Sequence, residues 1–306
     1  MKARNALLEA RQVVGPGYDP HVLEPSPPAV VDGVWFADDP AASGHFDWRE
    51  WVETHQEHGV WAADRWLAAY RRLEPLPPTL AATRLALHRL AVYVVSSARR
   101  RSNGKMGLRW TMGGFGTPFF GADEQVRVVG TDLVRQRGPQ VWVEPITSLT
   151  TAGTLVLDGP PDTSWAGDLD VPPLGDTEEN LAVDSDAGGA LADWYGFAWS
   201  VLEELRAETL STEPSRVQLW PEHFDAAFDC LPPERRATCG ASPGDSGSAE
   251  PYLYVVSNGV ERTPSSLWNA TAFSGAVLTY QELLDSADQR SAALEFFRLR
   301  RDLLAA

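Results

Sequence analysis

The chain has little cysteine and no long apolar run, and each shortage excludes a class of protein. Two cysteines, Cys230 and Cys239, among 306 residues are too few for a disulfide framework. They leave open one hairpin disulfide or two reduced thiols, and we expect thiols. No apolar run approaches the roughly 18 residues that cross a bilayer, so we expect no membrane partner.

Basic residues are also scarce. Asp and Glu outnumber Lys and Arg by 42 to 26, which gives a formal net charge of −16 at pH 7. Nucleic acids bind basic surface, so this balance predicts no nucleic-acid partner. The cluster 99–101 follows a predicted helix, where cations favour the negative end of the dipole, and we prefer this capping role to a phosphate patch. The N-terminal residues are charged throughout and lack the apolar core of a secretion signal, so we expect a cytoplasmic protein.

The apolar content is ample by contrast. It reaches 43% and includes 12 Trp and 11 Phe, enough for a sizeable core in one or two domains. Segments rich in proline and glycine divide the chain into four predicted parts. These parts are an N-terminal extended arm with helices (1–75), a first lobe (76–158), a linker or long loop (159–190) and a second lobe with a C-terminal helix (191–306).

Periodicity predicts similar contents for the two lobes. Apolar spacing of three and four residues predicts helices at 79–101, 192–210 and 280–304, the last with Asp288 or Ser286 as its N-cap. Alternation predicts strands at 108–112, 125–129, 132–136, 140–143, 217–220, 223–228 and 252–257. Segment 147–157 fits a helix or a strand. The predicted class is α+β, with two lobes that are each a small, mainly antiparallel sheet with packed helices, plus an N-terminal helical arm.

The first candidate site is the segment Trp220-Pro221-Glu222-His223-Phe224-Asp225. In a strand, alternate side chains share a face, so His223 and Asp225 would lie together and Glu222 on the other face. Such a pair orients an imidazole for general-base catalysis or presents two metal ligands. The alternative is a structural histidine that hydrogen-bonds a backbone carbonyl or Asp225.

The second candidate is the loop Gly240-Ala241-Ser242-Pro243-Gly244-Asp245. It would bring Ser242 or Asp245 to a pocket lined by Trp220 and Tyr252, although a capped turn between strands is the interpretation that we favour. Asp225 and Asp245 offer oxygens to a divalent cation. With His223, the two cysteines also offer zinc-binding atoms, but the Cys-x8-Cys spacing is no recognised zinc motif. The sequence therefore leaves the metal and the cofactor unknown.

The third candidate is the glycine- and aromatic-rich stretch from Leu108 to Gly121. Its glycines allow the backbone to approach a ligand ring or another strand closely. Arg109 and Trp110 would then hold an anionic or aromatic small molecule. The alternative, which we favour, is a bent hairpin that packs its Phe residues on the central helix.

Three motifs carry a resemblance to other proteins. They are Gly113-Gly114-Phe115-Gly116-Thr117-Pro118-Phe119-Phe120-Gly121, the Trp220–Asp225 segment and the Gly240–Asp245 loop. In these the chain resembles a family of uncharacterised actinobacterial proteins, and from Trp220 to Phe297 it is similar to a broader bacterial domain family of unknown function. The resemblance covers most of residues 79–305. It implies one functional unit built from both lobes and no particular activity.

Two functions remain open. The first is a small-molecule-binding or accessory protein with a pocket between the lobes, lined by Arg109, Trp110, Trp220 and Tyr252. The second is a hydrolase, with or without a metal, in which His223 is the base or a ligand, Asp225 orients it and Asp245 is a second carboxylate. We place the binding protein first, because the sequence shows no set of nucleophile, base and oxyanion donors.

Overall fold

The structure is a computed structural model, and it describes residues 30–31, 34–35, 70–111, 113–121, 124–137, 140–165, 171–208, 214–232, 235–257 and 266–305. The predicted N-terminal helices, and most of the predicted arm, lie outside these residues. Two short strands, β1 (Val30–Val31) and β2 (Val34–Trp35), pair antiparallel with each other.

The described helices include all three that the periodicity of the sequence predicts in this part of the chain. They are α1 (Leu80–Leu90), a π-helical turn (Ala91–Val95), α2 (Ser96–Asn103), α3 (Leu149–Leu157), a 3-10 turn (Thr163–Trp165), α4 (Ser185–Glu208), α5 (Tyr280–Leu284) and α6 (Gln289–Ala305). The segment that fitted helix or strand is α3. The helix predicted from residue 79 forms, with the π turn inside it.

Local capping explains where two helices begin. The carboxylate of Asp184 accepts a hydrogen bond from the backbone N–H of Ala187 at 3.0 Å, so α4 begins at Ser185, inside the segment predicted as a linker. Asp288 caps α6 in the same way, with its carboxylate 3.0 Å from the backbone nitrogen of Ser291, as predicted. The C-terminal helix was predicted as one piece, but α5 with its own capping box at Thr279 precedes α6.

The strands form two antiparallel sheets of five strands each, in which neighbours in sequence are neighbours in space. The first sheet contains β3 (Arg109–Thr111), β4 (Gly114–Gly116), β5 (Glu124–Val129), β6 (Asp132–Arg137) and β7 (Gln140–Pro145). The second contains β8 (Gln218–Trp220), β9 (Asp225–Cys230), β10 (Ala237–Ser242), β11 (Tyr252–Ser257) and β12 (Gly275–Thr279). The predicted α+β class with two lobes is confirmed.

Three strands of these sheets were not among the predicted strands: β4, which lies inside the glycine-rich stretch, β10 and β12. β10 contains Gly240 and several small or polar residues, so its first half resembles a turn and its second half was predicted as part of a loop. β12 is short and begins at a glycine. Their places are fixed by pairing, because β10 lies between β9 and β11 and β12 closes the edge beside β11.

The two sheets meet edge to edge. Leu108, just before β3, and Leu219 of β8 exchange both backbone hydrogen bonds, at 2.8 and 2.9 Å. Helix α4 lies across this junction, because its Tyr195 contacts Phe115 of β4 and Phe224 next to β9. The buried apolar residues of both lobes accordingly form one continuous core.

None of the helices that the structure describes is long and apolar enough to cross a membrane.

Candidate functional site

The Trp220–Asp225 segment is a turn between β8 and β9, and only its two ends are strand. The backbone N–H of Phe224 donates to the carbonyl of Trp220 at 2.7 Å, and Phe224 has a φ of 57°. A left-handed phenylalanine ends the alternation that would put His223 and Asp225 on one strand face. The prediction of a strand from His223 was therefore wrong, because β9 begins at Asp225. His223 is exposed on the turn.

Helix α1 holds this turn from one side. Nε2 of His88 lies 2.9 Å from the carbonyl oxygen of Pro221 and 3.2 Å from that of Glu222. Both partners are acceptors, so this nitrogen carries a hydrogen and donates it. The imidazole also stacks on Phe224, with ring centroids 5.0 Å apart. Burial lowers the pKa of His88 to about 4, so the ring is neutral near pH 7.

Helix α4 holds the turn from the other side. The hydroxyl of Tyr195 donates to the carbonyl of Phe224 at 2.6 Å, and burial raises the pKa of this phenol well above its usual value. The Phe224 ring packs edge to face on Tyr195 and on Phe115, at 5.6 and 5.0 Å between centroids. This packing offsets the strain of the left-handed backbone, which costs on the order of 1–3 kcal/mol.

Asp225 lies at the bottom of the turn with one carboxylate oxygen engaged. Only 8% of the residue is exposed, and its Oδ2 accepts a hydrogen bond from the Tyr254 hydroxyl. No other residue that the structure describes donates to Oδ1. Burial raises the pKa of this carboxyl, and the charge of Glu222 raises it further, against the opposing effects of the Tyr254 hydrogen bond and the charge of His223.

Glu222 is a second carboxylate with a buried oxygen in the same turn. Its Oε2 is inaccessible to solvent and has no hydrogen-bond partner within the described part of the chain. Buried acceptors without donors are rare in folded proteins, because each costs about 1–3 kcal/mol. Two of them lie in this one turn, and the charge of Glu222 disfavours ionisation of Asp225.

Gly240 makes the contact between Tyr254 and Asp225 possible. Gly240 of β10 is paired with Tyr254 on one side and with Ala227 on the other. A Cβ at position 240 would overlap the Tyr254 ring, so the glycine allows this ring to lie across β10 and reach Asp225 on β9. The same face carries Tyr252 and Phe273, whose ring centroids lie 6.1 and 6.3 Å from that of Tyr254.

Asp245 lies close to these aromatic rings, and both of its carboxylate oxygens already accept hydrogen bonds. Its Oδ2 accepts from the Tyr252 hydroxyl at 2.6 Å, and its Oδ1 accepts from the backbone of Gly247 and Ser248 at 2.6 and 2.9 Å. Burial would raise its pKa, but these hydrogen bonds outweigh it and the pKa of Asp245 is lowered. The loop thus has the capped form that the sequence favoured.

Helix α1 also fixes this loop. The guanidinium of Arg84 donates to the backbone carbonyls of Pro243, Ala249 and Asp245, at 3.4, 3.0 and 3.4 Å. Arg84 and His88 are one helical turn apart on α1, so a single face of this helix holds both the 221–224 turn and the loop after β10.

The other predicted binding residues divide into two groups. Trp220 is half-buried and pairs directly with Asp225 across β8 and β9, so the two share a face near Tyr252. Arg109 and Trp110 lie in β3, 7% and 2% exposed. Nε of Arg109 donates to the carbonyl of Trp110 at 3.0 Å, and its guanidinium lies 6.0 Å from the Trp199 ring. The structure brings Trp220 and Tyr252 to the turn and places Arg109 and Trp110 in the core.

The described residues offer little to a metal ion. No group of three or more His, Cys, Asp or Glu side chains in this part of the chain is placed to hold one. Cys230 and Cys239 are free and buried, with sulfurs 3.0 Å apart. Cys230 points to the face of β9 opposite Asp225, because the two positions differ by an odd number.

Sequence reasoning missed five residues of the site: Arg84, His88, Tyr195, Glu222 and Tyr254. Two signals were present. Tyr252 and Tyr254 share a strand face by their spacing, and a glycine in the paired strand leaves room for an aromatic ring. The roles of His88 and Tyr195 had no local signal, since their partners lie far along the chain.

Comparison of the chain with protein-family models, with curated proteins and with solved structures finds no match. The resemblance to the actinobacterial family therefore stays a prediction.

The depressed pKa of His88 predicts how stability depends on pH. An unfolded chain binds a proton at His88 near pH 6.5, whereas the folded chain binds it near pH 4. The stabilisation is complete above pH 6.5 and decreases by up to about 3 kcal/mol as the pH falls toward 4. His88→Gln keeps an N–H donor and does not titrate, so urea unfolding between pH 7.5 and 4.5 should show a smaller decrease for the variant. Parallel profiles would contradict this role.

Gly240→Ala tests whether the Tyr254 ring lies across β10. The methyl group displaces the ring from Asp225, so we expect a loss of roughly 1–3 kcal/mol in the free energy of unfolding and a changed near-UV dichroism. The control is Gly189→Ala in α4, where the added methyl meets open space and alanine favours the helix by about 1 kcal/mol. An unchanged stability of Gly240→Ala would show that the ring lies elsewhere.

Proposed function

We propose that the protein binds a small molecule at the 221–224 turn, with hydrogen-bond donors of the ligand directed at Asp225 and Glu222. The observation that carries this proposal is the Oδ1 atom of Asp225, a buried acceptor without a donor from any other described residue. A ligand hydroxyl or amine would satisfy it. Half-buried Trp220 and Tyr254 on the same sheet face supply apolar contact area.

The backbone of the turn is held from several sides. The carbonyls of Trp220, Pro221, Glu222 and Phe224 accept hydrogen bonds, and the donors come from the turn itself and from two helices. Because the unsatisfied oxygens of Asp225 and Glu222 are inaccessible to solvent, a ligand reaches them only when a side chain of the turn moves, and the fixed backbone limits the entropy cost of binding. This location replaces the pocket between Arg109 and Trp220 that the sequence suggested, because Arg109 and Trp110 belong to the core.

The hydrolase alternative has one observation in its favour. Burial raises the pKa of Asp225, and a carboxylic acid with a raised pKa next to a phenol suits general acid catalysis. His223 lies within electrostatic reach of it. Asp245, by contrast, has both oxygens occupied, so the second carboxylate of this mechanism would be Glu222.

Asp225→Asn tests the binding proposal through stability. The folded pKa of Asp225 is raised, so its contribution is favourable below the unfolded pKa and is lost as the pH rises through the folded pKa. The amide should therefore stabilise the protein by roughly 1 kcal/mol near pH 8, and less near pH 5, in urea unfolding. This gain marks a residue kept for function at the expense of stability.

Asp229→Asn is the matched control for that experiment. Asp229 lies on the same strand, but its carboxylate accepts from the Thr238 hydroxyl at 2.9 Å and pairs with Arg236 at 3.5 Å. Its amide variant should be neutral or less stable than wild type. If Asp225→Asn is also less stable, Asp225 has a structural role and the binding proposal fails.

His223→Ala separates binding from hydrolysis. His223 is exposed, so the variant should keep the melting temperature of the wild type within about 2 °C. If the protein is a hydrolase, the variant loses the hydrolysis of a chromogenic acetate ester by at least about a hundredfold. Equal rates for wild type and variant, at the level of buffer alone, would exclude His223 as a catalytic base for this ester.

A further inference from the structure

We infer that Cys230 and Cys239 are a dithiol–disulfide couple, a modification site at which a small disulfide such as oxidised glutathione closes a bond between β9 and β10. The juxtaposition that carries this inference is the distance of 3.0 Å between the two sulfur atoms. Both thiols are free in the structure, which is the reduced form of the couple. The inference is independent of the ligand proposed for the 221–224 turn.

Strand pairing brings the two sulfurs together. Cys230 pairs with Ala237 across β9 and β10, and Cys239 pairs with Phe228, so the cysteines are diagonal neighbours offset by two positions. Paired residues lie on the same face of an antiparallel sheet, and so do positions two apart along one strand. The two cysteines therefore share a face. A disulfide has its sulfurs about 2.05 Å apart, so closure brings them together by about 1 Å.

The surroundings favour a bond between the sulfurs over other uses of the thiols. Thiols are weak hydrogen-bond donors, so closure gives up one weak S–H···S contact. A structural zinc ion takes about four ligands, and in the described part of the chain no group of three or more His, Cys, Asp or Glu is placed to hold a metal. The other residues on this face of β9 and β10 are apolar and buried: Ala226, Phe228, Ala237 and Ala241.

Burial decides how the exchange begins. Both cysteines are fully buried, and burial raises the pKa of Cys239 well above its usual value, so a thiolate is scarce in the closed fold. Cys230 is the last residue of β9, and Leu231 after it has a φ of 88°. A left-handed leucine is strained, which lowers the cost of opening the hairpin at this end. Exchange therefore proceeds through opened molecules, and reclosing buries the new disulfide.

The reaction is a thiol–disulfide exchange in two stages. The thiolate of one cysteine attacks the small disulfide, breaks its S–S bond and releases one small thiolate, which leaves a mixed disulfide on the protein. The thiolate of the other cysteine then attacks the protein sulfur of that mixed disulfide and releases the second small thiolate. The two cysteine protons end on the two small thiols. The protein thus loses two electrons and two protons, about 2 Da, and the small disulfide is reduced.

The test is the redox equilibrium of the full chain in mixtures of reduced and oxidised glutathione, approached from both the reduced and the oxidised protein. Trypsin cleaves after Arg235 and Arg236, so the peptides that carry Cys230 and Cys239 stay joined only by a disulfide. The quantity compared is the ratio [GSH]²/[GSSG] at which half of the protein is oxidised. We expect this ratio to be at least about tenfold higher in native buffer than in urea that unfolds the chain, because the fold holds the sulfurs together.

The melting temperature gives a second readout. The factor by which folding favours the disulfide is also the factor by which the disulfide favours folding. The oxidised chain should therefore melt roughly 3–8 °C above the reduced chain. Cys239→Ala is the matched control, because it keeps Cys230 and cannot close the bond. Its melting temperature should not rise in oxidised glutathione.

Three results would overturn the inference. The first is a ratio between native buffer and urea below about tenfold, since the fold then does not favour the bond. The second is a disulfide that joins two chains, or a bound glutathione in place of the bond between Cys230 and Cys239. The third is an oxidised chain that melts no higher than the reduced chain, because closure then strains the sheet. Each of them leaves the proposed function to the unfolding of Asp225→Asn.

Discussion

The left-handed backbone of Phe224 is the constraint on which the rest of the site depends. It allows the chain to reverse between β8 and β9, and it is held by rings and hydrogen bonds that come from α1, α4 and β4. A phenylalanine adopts this conformation at a cost, so the surrounding packing must offset that cost. The turn is therefore stabilised by residues of both lobes, and its acidic side chains depend on residues far away in the chain.

Helix α1 contributes one neutral side chain, His88, and one charged side chain, Arg84, to the surroundings of the turn. His88 is neutral because burial lowers its pKa more than its two carbonyl partners raise it, and Arg84 keeps its charge over the neighbouring loop. Each of these side chains donates hydrogen bonds to backbone carbonyls, and neither neutralises the acids of the turn by hydrogen bonding. The helix thus stabilises the shape of the site by holding its backbone, and its two side chains make no hydrogen bond to the carboxylates of Glu222 and Asp225.

The sequence predicted much of the fold and a smaller part of the site. Periodicity located α4, β5, β6 and β11 well, because their apolar positions repeat regularly along the chain. It placed His223 and Asp225 on one strand face, because nothing local shows that Phe224 adopts a positive φ. It also assigned Gly240 to a loop, whereas pairing with Tyr254 puts this glycine in the middle of β10. These features are decided by partners more than a hundred positions away, or by a neighbouring strand, and a window of sequence does not contain them.

The paired edges at Leu108 and Leu219 have a consequence for how the molecule unfolds. Because these residues exchange two backbone hydrogen bonds and α4 packs on both sheets, loss of one lobe would expose unpaired edge strand and apolar core of the other. The lobes are thus distinct in topology but belong to one cooperative unit in thermodynamic terms. A change in either lobe that weakens this junction therefore lowers the folded fraction of the whole molecule. The fraction of molecules in which the turn is formed falls with it, without any movement of a hinge.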